Sequence, residues 1–208
     1  LPIIVSPMDT TVEIDMQIAA CKEGIVAVHH RYCDDAKLQH ASNYGWVAVS
    51  PSMGIEVVKK LNKASLLVLD LAHGDSKSAL AFAYQCVKAG YKVVSGNIVV
   101  REVAKRYADI GVTNFRVGIG AGSACLTRQV AGVGVPQLTA IITIRQAFPD
   151  SIIISDGGIR SSGDIIKALG TGASAVMIGG LLGGVKESPG KRRFNFLKWR
   201  MEKQYRGM

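Results

Sequence analysis

Aromatic residues are scarce in this chain, 6% of 208 residues, and acidic side chains are outnumbered, 16 against 25 Lys and Arg, for a net charge of +9. Few aromatics beside 23 glycines disfavour a β-sandwich and suit an α/β protein whose strands turn tightly into helices. Cysteine is also rare. Cys21, Cys33, Cys86 and Cys125 stand apart with no CxxC spacing, which argues against a zinc site and against a disulfide framework. No apolar run reaches the roughly 18 residues that span a bilayer, and no secretory signal is visible, so a soluble, cytoplasmic protein is expected. His, Asp and Glu form no cluster at ligand spacing, so a catalytic metal is not expected.

What is present is apolar: 48% of the chain is hydrophobic, enough to build one large core and to exclude disorder. The positive charge would attract anions, either a phosphorylated small molecule or nucleic acid. Much of the excess lies in KESPGKRRFNFLKWRMEK, residues 186–203, where Phe194, Phe196 and Trp199 interleave with basic residues. Such a stripe could stack on single-stranded nucleic acid, but a solvated segment that packs its aromatics inward is commoner. Nucleic acid is therefore not the expected partner. The sequence opens at Leu1 inside an apolar strand and stops after Met208; one domain over 1–208, trimmed at both ends, is the expectation.

Eight apolar runs bounded by turn residues recur along the chain: Pro2 to Ser6, Ile25 to His29, Trp46 to Ser50, Leu66 to Leu71, Lys92 to Ser95, Asn114 to Val117, Ile152 to Ser155 and Ala175 to Ile178. Between them lie seven helical stretches, among them EIDMQIAACKEG, GIEVVKKLNK, SALAFAYQCVKAG, VREVAKRYADIG, LTAIITIRQAFP and SGDIIKALGTG. Four of these close on Gly and one on Pro, the usual C-terminal punctuation, and Ser162 to Asp164 supplies an N-terminal cap. Cys21 and Cys86 fall on apolar-periodic positions and are expected in the core; Cys33 is undecided. Strands that are nearly all apolar, alternating with helices, predict a parallel sheet covered by helices. Eight such units predict a single (β/α)8 barrel. An open doubly wound sheet would carry a glycine fingerprint after its first strand, where Pro7, Met8 and Asp9 stand instead.

In a barrel the active face is built from the C-terminal ends of the strands. Those exits hold Ser6, Met8 and Asp9; His29, His30 and Arg31; Asp70 and His73; Asn97; Gly118 to Cys125; Asp156 to Gly158; and Gly179 with Gly180. Strands seven and eight leave into DGG and IGG, where main-chain N–H groups commonly hold phosphate. Asp156 and Asp70 could each accept hydrogen bonds from a sugar diol or cap a local turn. The histidine pair could shuttle a proton, contact a cofactor or simply pack. RVGIGAGSACLTR, residues 116–128, places Cys125 in a glycine loop after a strand, beside backbone N–H groups that favour a thiolate. A buried, inert cysteine is the competing reading, weakened by the hydroxyls of Ser123 and Thr127.

SPMDT (6–10), GN (96–97), VGIGAGSACLTR (117–128), GVGVPQLTA (132–140), SDGGIRSSGDIIKALGTGASAVMIGG (155–180) and YRGM (205–208) together resemble the IMP dehydrogenase and GMP reductase family, in unbroken order over almost the whole chain. The resemblance implies that Cys125 attacks C2 of a purine nucleoside monophosphate, with Thr127 assisting. It assigns Ser6, Ser123, Gly158, Gly179, Gly180 and Tyr205 to the phosphate, Asp156 to the ribose, and Met8, Gly207 and Met208 to the base. Asp70, with His30, Asn97 and Arg116, falls on the cofactor side. Main-chain carbonyls at Gly120, Gly122 and Cys125 could hold a monovalent cation such as K+, and a homotetramer is implied.

Two chemistries share that pattern: NADPH-dependent reduction of GMP to IMP and ammonia, and NAD-dependent oxidation of IMP to XMP. The short stretch from Arg31 to Trp46 has no room for the CBS regulatory pair common in dehydrogenases, and DLAHGDS, the IGG exit and Tyr32 are similar to reductases. SPMDT, GVGVPQ and the ESPG at 187–190 are similar to dehydrogenases. The sequence reading favours the reductase, with the dehydrogenase as alternative. A nucleotide- or nucleic-acid-binding barrel without catalysis is the third reading.

Overall fold

Apolar residues at alternate positions make each strand a wedge between a barrel lumen and an outer layer of helices. The computed structural model describes residues 1–196 and 199–207. Its parallel strands are β1 (Ile3–Val5), β2 (Val26–His29), β3 (Trp46–Val49), β4 (Leu67–Leu69), β5 (Val93–Ile98), β6 (Asn114–Val117), β7 (Ile152–Asp156) and β8 (Ala175–Ile178). They hydrogen-bond in chain order, and β8 returns to β1 through Ile3↔Val176, Ile4↔Met177 and Val5↔Ile178, so the sheet closes and has no edge. The fold is a single (β/α)8 barrel.

Period-two alternation sorts the strand residues. Ile4, Val28, Ala48, Val68, Val94, Ile154 and Met177, one from each of seven strands, pack into a small inner cluster. Their neighbours Val47, Leu67, Phe115 and Ile153 join the larger cluster beneath the helices. The eighth strand, β6, sets Arg116 level with Ile154. Two residues further along each strand, on the same face, stand Ser6, His30, Ser50, Asp70, Gly96, Gly118, Asp156 and Gly179. The expected active face is therefore one layer above the apolar lumen.

The covering helices are α1 (Ile14–Lys22), α2 (Asp35–Ala41), α3 (Ile55–Val58), α4 (Lys77–Lys88), α5 (Arg101–Asp109), α6 (Thr127–Val130), α7 (Gln137–Ala147) and α8 (Ser162–Gly170). That makes eight among the described residues, where seven were expected. The additional one is α6, a second helix in the β6–β7 connection; α2, in the β2–β3 connection, buries Leu38 and Ala41 and is capped by Asp34 accepting from the Lys37 N–H at 2.8 Å. α3 stops at Val58, well short of Lys63. α8 is capped by Ser161, one residue before the expected Ser162, through a reciprocal box with Asp164. Cys86 is buried as expected, but Cys21 is exposed, because α1 turns Met16, Gln17 and Ala20 inward and leaves Cys21 beyond that stripe.

After the barrel, β9 (Arg193–Asn195) and β10 (Arg200–Glu202) form an antiparallel hairpin. Its aromatics do not pack inward. Phe196 is 78% and Trp199 79% exposed, and both rings meet Phe194 edge-on, at 5.0 and 5.4 Å between centroids. Among the described residues, no helix is long and apolar enough to cross a membrane.

Phe115 is wholly buried and packs edge-on to Phe148 at 5.3 Å. Phe115→Ala is expected to lower unfolding free energy by about 3–5 kcal/mol, read as a shift of the urea midpoint with an unchanged slope.

Candidate functional site

The strand exits surround a cavity of about 840 Å³. It is lined by Ser6 and Met8 after β1, Asp70 after β4, Asn97 at the end of β5, Arg116 and the 118–127 loop from β6, and Asp156 to Ile159 from β7. Gly179 and Gly180 after β8, together with Tyr205 and Gly207, complete the wall. Sixteen residues singled out in the sequence thus converge on one space: Ser6, Met8, Asp70, Asn97, Arg116, Gly120, Gly122, Ser123, Cys125, Thr127, Asp156, Gly158, Gly179, Gly180, Tyr205 and Gly207. Met208 lies outside the described residues. His30 does not line the cavity.

Arg116 organises the polar layer. Its Nε donates to Asp156 Oδ2 at 2.8 Å and its Nη1 to Asp70 Oδ1 at 3.1 Å. Burial alone would lower the guanidinium pKa, but the carboxylates of Asp156 and Asp70 outweigh it and hold the group above its ordinary value. Asn97 Nδ2 bridges the Gly118 carbonyl, 2.7 Å, and Asp156 Oδ2, 2.6 Å. Arg31 Nε reaches Asp70 Oδ2 at 3.2 Å while Arg31 Nη2 donates to Tyr32 Oη at 2.8 Å. Four consecutive strand ends, β4 to β7, are thereby cross-linked by one charge network.

The cysteine loop leaves β6 through Gly118 at φ +139°, where a Cβ would strike the Asp156 carbonyl and come within 2.6 Å of Gln137 Oε1. Only glycine lets the loop lie flush against β7 there. Arg128 then ties the loop down, with Nε on the Ile119 carbonyl at 3.2 Å and Nη2 on the Val135 carbonyl at 2.7 Å. The Cys125 N–H donates to the Gly122 carbonyl at 3.1 Å. Cys125 Sγ, exposed, sits 3.1 Å from Thr127 Oγ1. Across the cavity Tyr205 Oη reaches Met8 Sδ at 3.4 Å. Burial pushes the Tyr205 phenol up, against a hydrogen bond with Ser123 that lowers it.

His29 and His30 are turned to a separate carboxylate, with Nε2 atoms 3.4 Å from Glu13 Oε2 and 3.3 Å from Glu13 Oε1. Burial works to raise the Glu13 carboxyl, but Lys37, with Nζ 2.7 Å away, and His30 hold it below its ordinary value. Burial pushes His29 down and the Cys33 thiol up to about 11. Folding also groups His29, His30 and Cys33 with ligand-type atoms within 4.8 Å of one another, a cluster that the expectation of no ligand spacing did not foresee. Arg31, named as a strand exit, and Tyr32, named as similar to reductases, also line the cavity, as do Leu126 and Val130, to which no role was given. Leu126 and Val130 are 60% and 82% exposed.

A family model for the IMP dehydrogenase / GMP reductase domain matches residues 1–208. The chain belongs to the IMP dehydrogenase / GMP reductase family. An inosine-5'-monophosphate dehydrogenase of Thermoplasma acidophilum is 47% identical over 148 residues, covering 70% of this chain and 30% of the relative. One from Aquifex aeolicus is 48% identical over 148 residues, 69% of this chain and 30% of the relative. Another, from Helicobacter pylori, is 43% identical over 175 residues, 80% of this chain and 36% of the relative. These matches span about a third of the length of the curated relatives.

Two outcomes follow from the geometry of this family member. Arg116→Met leaves Asp156 without a cation and Asp70 with Arg31 alone, so a loss of about 3–5 kcal/mol in unfolding free energy is expected; a change below about 1 kcal/mol, the range of exposed pairs, would contradict the pairing. Iodoacetamide at neutral pH should label exposed Cys125 and Cys21 and spare Cys33 and Cys86, whose thiols burial pushes up to about 11 and about 12. Peptide mass spectrometry reads the order.

Proposed function

We propose that this chain is the catalytic barrel of an NAD-dependent IMP dehydrogenase. The observation that carries the reading is Cys125, on a glycine loop pinned over a cavity of nucleotide size, facing a fixed carboxylate at Asp156 and a hydroxyl at Thr127. The names of the similar proteins move the reading from the reductase to the dehydrogenase.

In this reading Cys125 Sγ adds to C2 of IMP as a thiolate, and the C2 hydrogen leaves with its electron pair. Water then adds at C2, the C–S bond breaks, and XMP and the thiol separate. Thr127 stands where it can hold a hydroxyl at C2. Asp156 would take the ribose hydroxyls, its Oδ2 already bonded by Arg116 and Asn97 so that the carboxylate has one orientation. Ser6, Ser123, Gly158, Gly179, Gly180 and Tyr205 would surround the phosphate, with Met8, Gly207 and Met208 at the base. NAD, when bound, supplies the hydride acceptor. Asp70 fits its ribose diol because both carboxylate oxygens are oriented by arginines at the cavity wall; Asn97 and Arg116 lie beside it, whereas His30, bonded to Glu13 and the Tyr32 N–H, is not among the lining residues. K+ on the carbonyls of Gly120, Gly122 and Cys125 would brace the loop; the Gly122 carbonyl accepts one N–H and keeps a second lone pair. A cytoplasmic homotetramer belongs to the same reading, supported by apolar residues exposed on the barrel side at Ile142 and Ile166.

One observation favours the reductase. β2 and β3 are joined only by α2 and its turns, a connection without a regulatory pair, as in an enzyme that uses NADPH to convert GMP to IMP and ammonia.

Full-length protein given IMP and NAD should produce NADH, and with GMP and NADPH it should show no loss of NADPH absorbance; the reverse pair of results would establish the reductase. Cys125→Ala should lower turnover by more than about 10⁴-fold while IMP affinity measured by calorimetry stays within about tenfold.

A further inference from the structure

We propose that His29, His30 and Cys33, with Glu13 alongside, form a binding site for a divalent cation of the zinc type, outside the nucleotide cavity. A ring nitrogen of each histidine and the Cys33 Sγ lie within 4.8 Å of one another. His29 is wholly buried, and its Nδ1–H donates to the His30 carbonyl at 2.9 Å. That bond leaves Nε2 with the lone pair. Nε2 is buried and has no hydrogen-bond partner. An imidazole anchored through one N–H to a backbone carbonyl and bare at its other nitrogen has the supporting bond that metal-bound histidines share.

The bare nitrogen points at Glu13 Oε2, 3.4 Å away. With Nε2 unprotonated these are two acceptors facing each other, a contact that a proton or a metal cation between them would relieve; Lys37 Nζ lies 2.7 Å from the same Oε2. Ligands held tetrahedrally at about 2.0–2.3 Å from zinc sit about 3.3–3.8 Å apart, so this pair already has the spacing. His30 accepts the Tyr32 N–H at Nδ1, 3.1 Å, and donates from Nε2 to Glu13 Oε1, 3.3 Å. Releasing the single bond to Tyr32 frees a second nitrogen while the carboxylate keeps the ring oriented. Cys33, half-buried at the start of the turn into α2, adds a soft ligand that selects zinc-type ions over magnesium or calcium. On binding, its S–H bond breaks, a sulfur–metal bond forms and the proton goes to solvent. Arg31 lies inside this segment and reaches Asp70, so an ion here would fix the bend that carries Arg31 to the cavity wall.

Cobalt(II) added to the full chain after chelator treatment tests the site without reference to activity. One equivalent should bring a near-ultraviolet thiolate-to-cobalt band with visible bands of tetrahedral strength, displaced by zinc. Cys33→Ser should abolish the thiolate band and weaken zinc binding by about 10–100-fold, whereas Cys125→Ser should keep both. Zinc should raise the melting temperature of the parent chain and leave that of Cys33→Ser unmoved; Cys33→Ala serves where the serine variant fails to fold. A parent chain that shows no band, or a band that survives Cys33→Ser and disappears in Cys125→Ser, overturns the proposal.

Discussion

A guanidinium inside the barrel sets the terms for everything above it. Arg116 occupies the one inner position that is not apolar, level with Ile154 in the layer formed by Ile4, Val28, Ala48, Val68, Val94 and Met177. A buried cation is tolerable only when paired and hydrogen-bonded, and the pairing comes from Asp70 and Asp156, each two residues beyond an inner apolar residue of its own strand. The same alternation that buries Val68 and Ile154 therefore raises their carboxylates to the right height. Because Arg116 engages both, the two acids are held apart and oriented without help from a ligand, which is the preorganisation a nucleotide site requires. Asn97 closes the network by holding Asp156 and the Gly118 carbonyl together, so the cysteine loop begins from a fixed point.

That constraint explains which features were legible in the sequence. Short apolar runs with polar exits specify strands, and eight of them specify closure; the exits then identify the cavity wall, because position two beyond the lumen is a property of spacing alone. His30 obeys the same spacing but not the same destination. Glu13, from the segment before α1, and the Tyr32 N–H occupy both of its ring nitrogens, and long-range partners of that kind have no signature in local spacing. The grouping of His29 and His30 with Cys33 was hidden for the same reason: sequence neighbours around a strand exit become a cluster only once the bend at 31–34 folds back. α6 escaped notice because a four-residue helix that buries no side chain shows no stripe, and Cys21 was misplaced because one residue of helical rotation separates the core side of α1 from solvent.

The hairpin was misread through an assumption about energetics. Exposed aromatics are costly, so inward packing is the ordinary expectation. Here Phe196 and Trp199 each meet Phe194 edge-on beside a two-stranded ribbon, which reduces that cost. Local edge-on contact thus covers only part of these rings, which stay largely exposed.

The loop geometry also bears on why one scaffold supports two reactions. Gly118 and Arg128 fix both flanks of the loop, yet Cys125 itself is exposed, so the thiol position is determined while the space beyond it stays open. Under the proposed function, addition at purine C2 would need only that fixed sulfur and a held nucleotide, which both chemistries would share. The second half is decided by whichever group next approaches C2 from the open side, water in one case and hydride in the other. Under the proposed function, Asp70, Asn97 and Arg116 would prepare the cofactor side equally for either direction, since a carboxylate that orients a ribose is indifferent to the oxidation state of the attached ring. Direction must therefore be encoded by groups that reach into the opening rather than by the network that builds its floor, and this is why the most legible residues of the site carry the family and not the reaction.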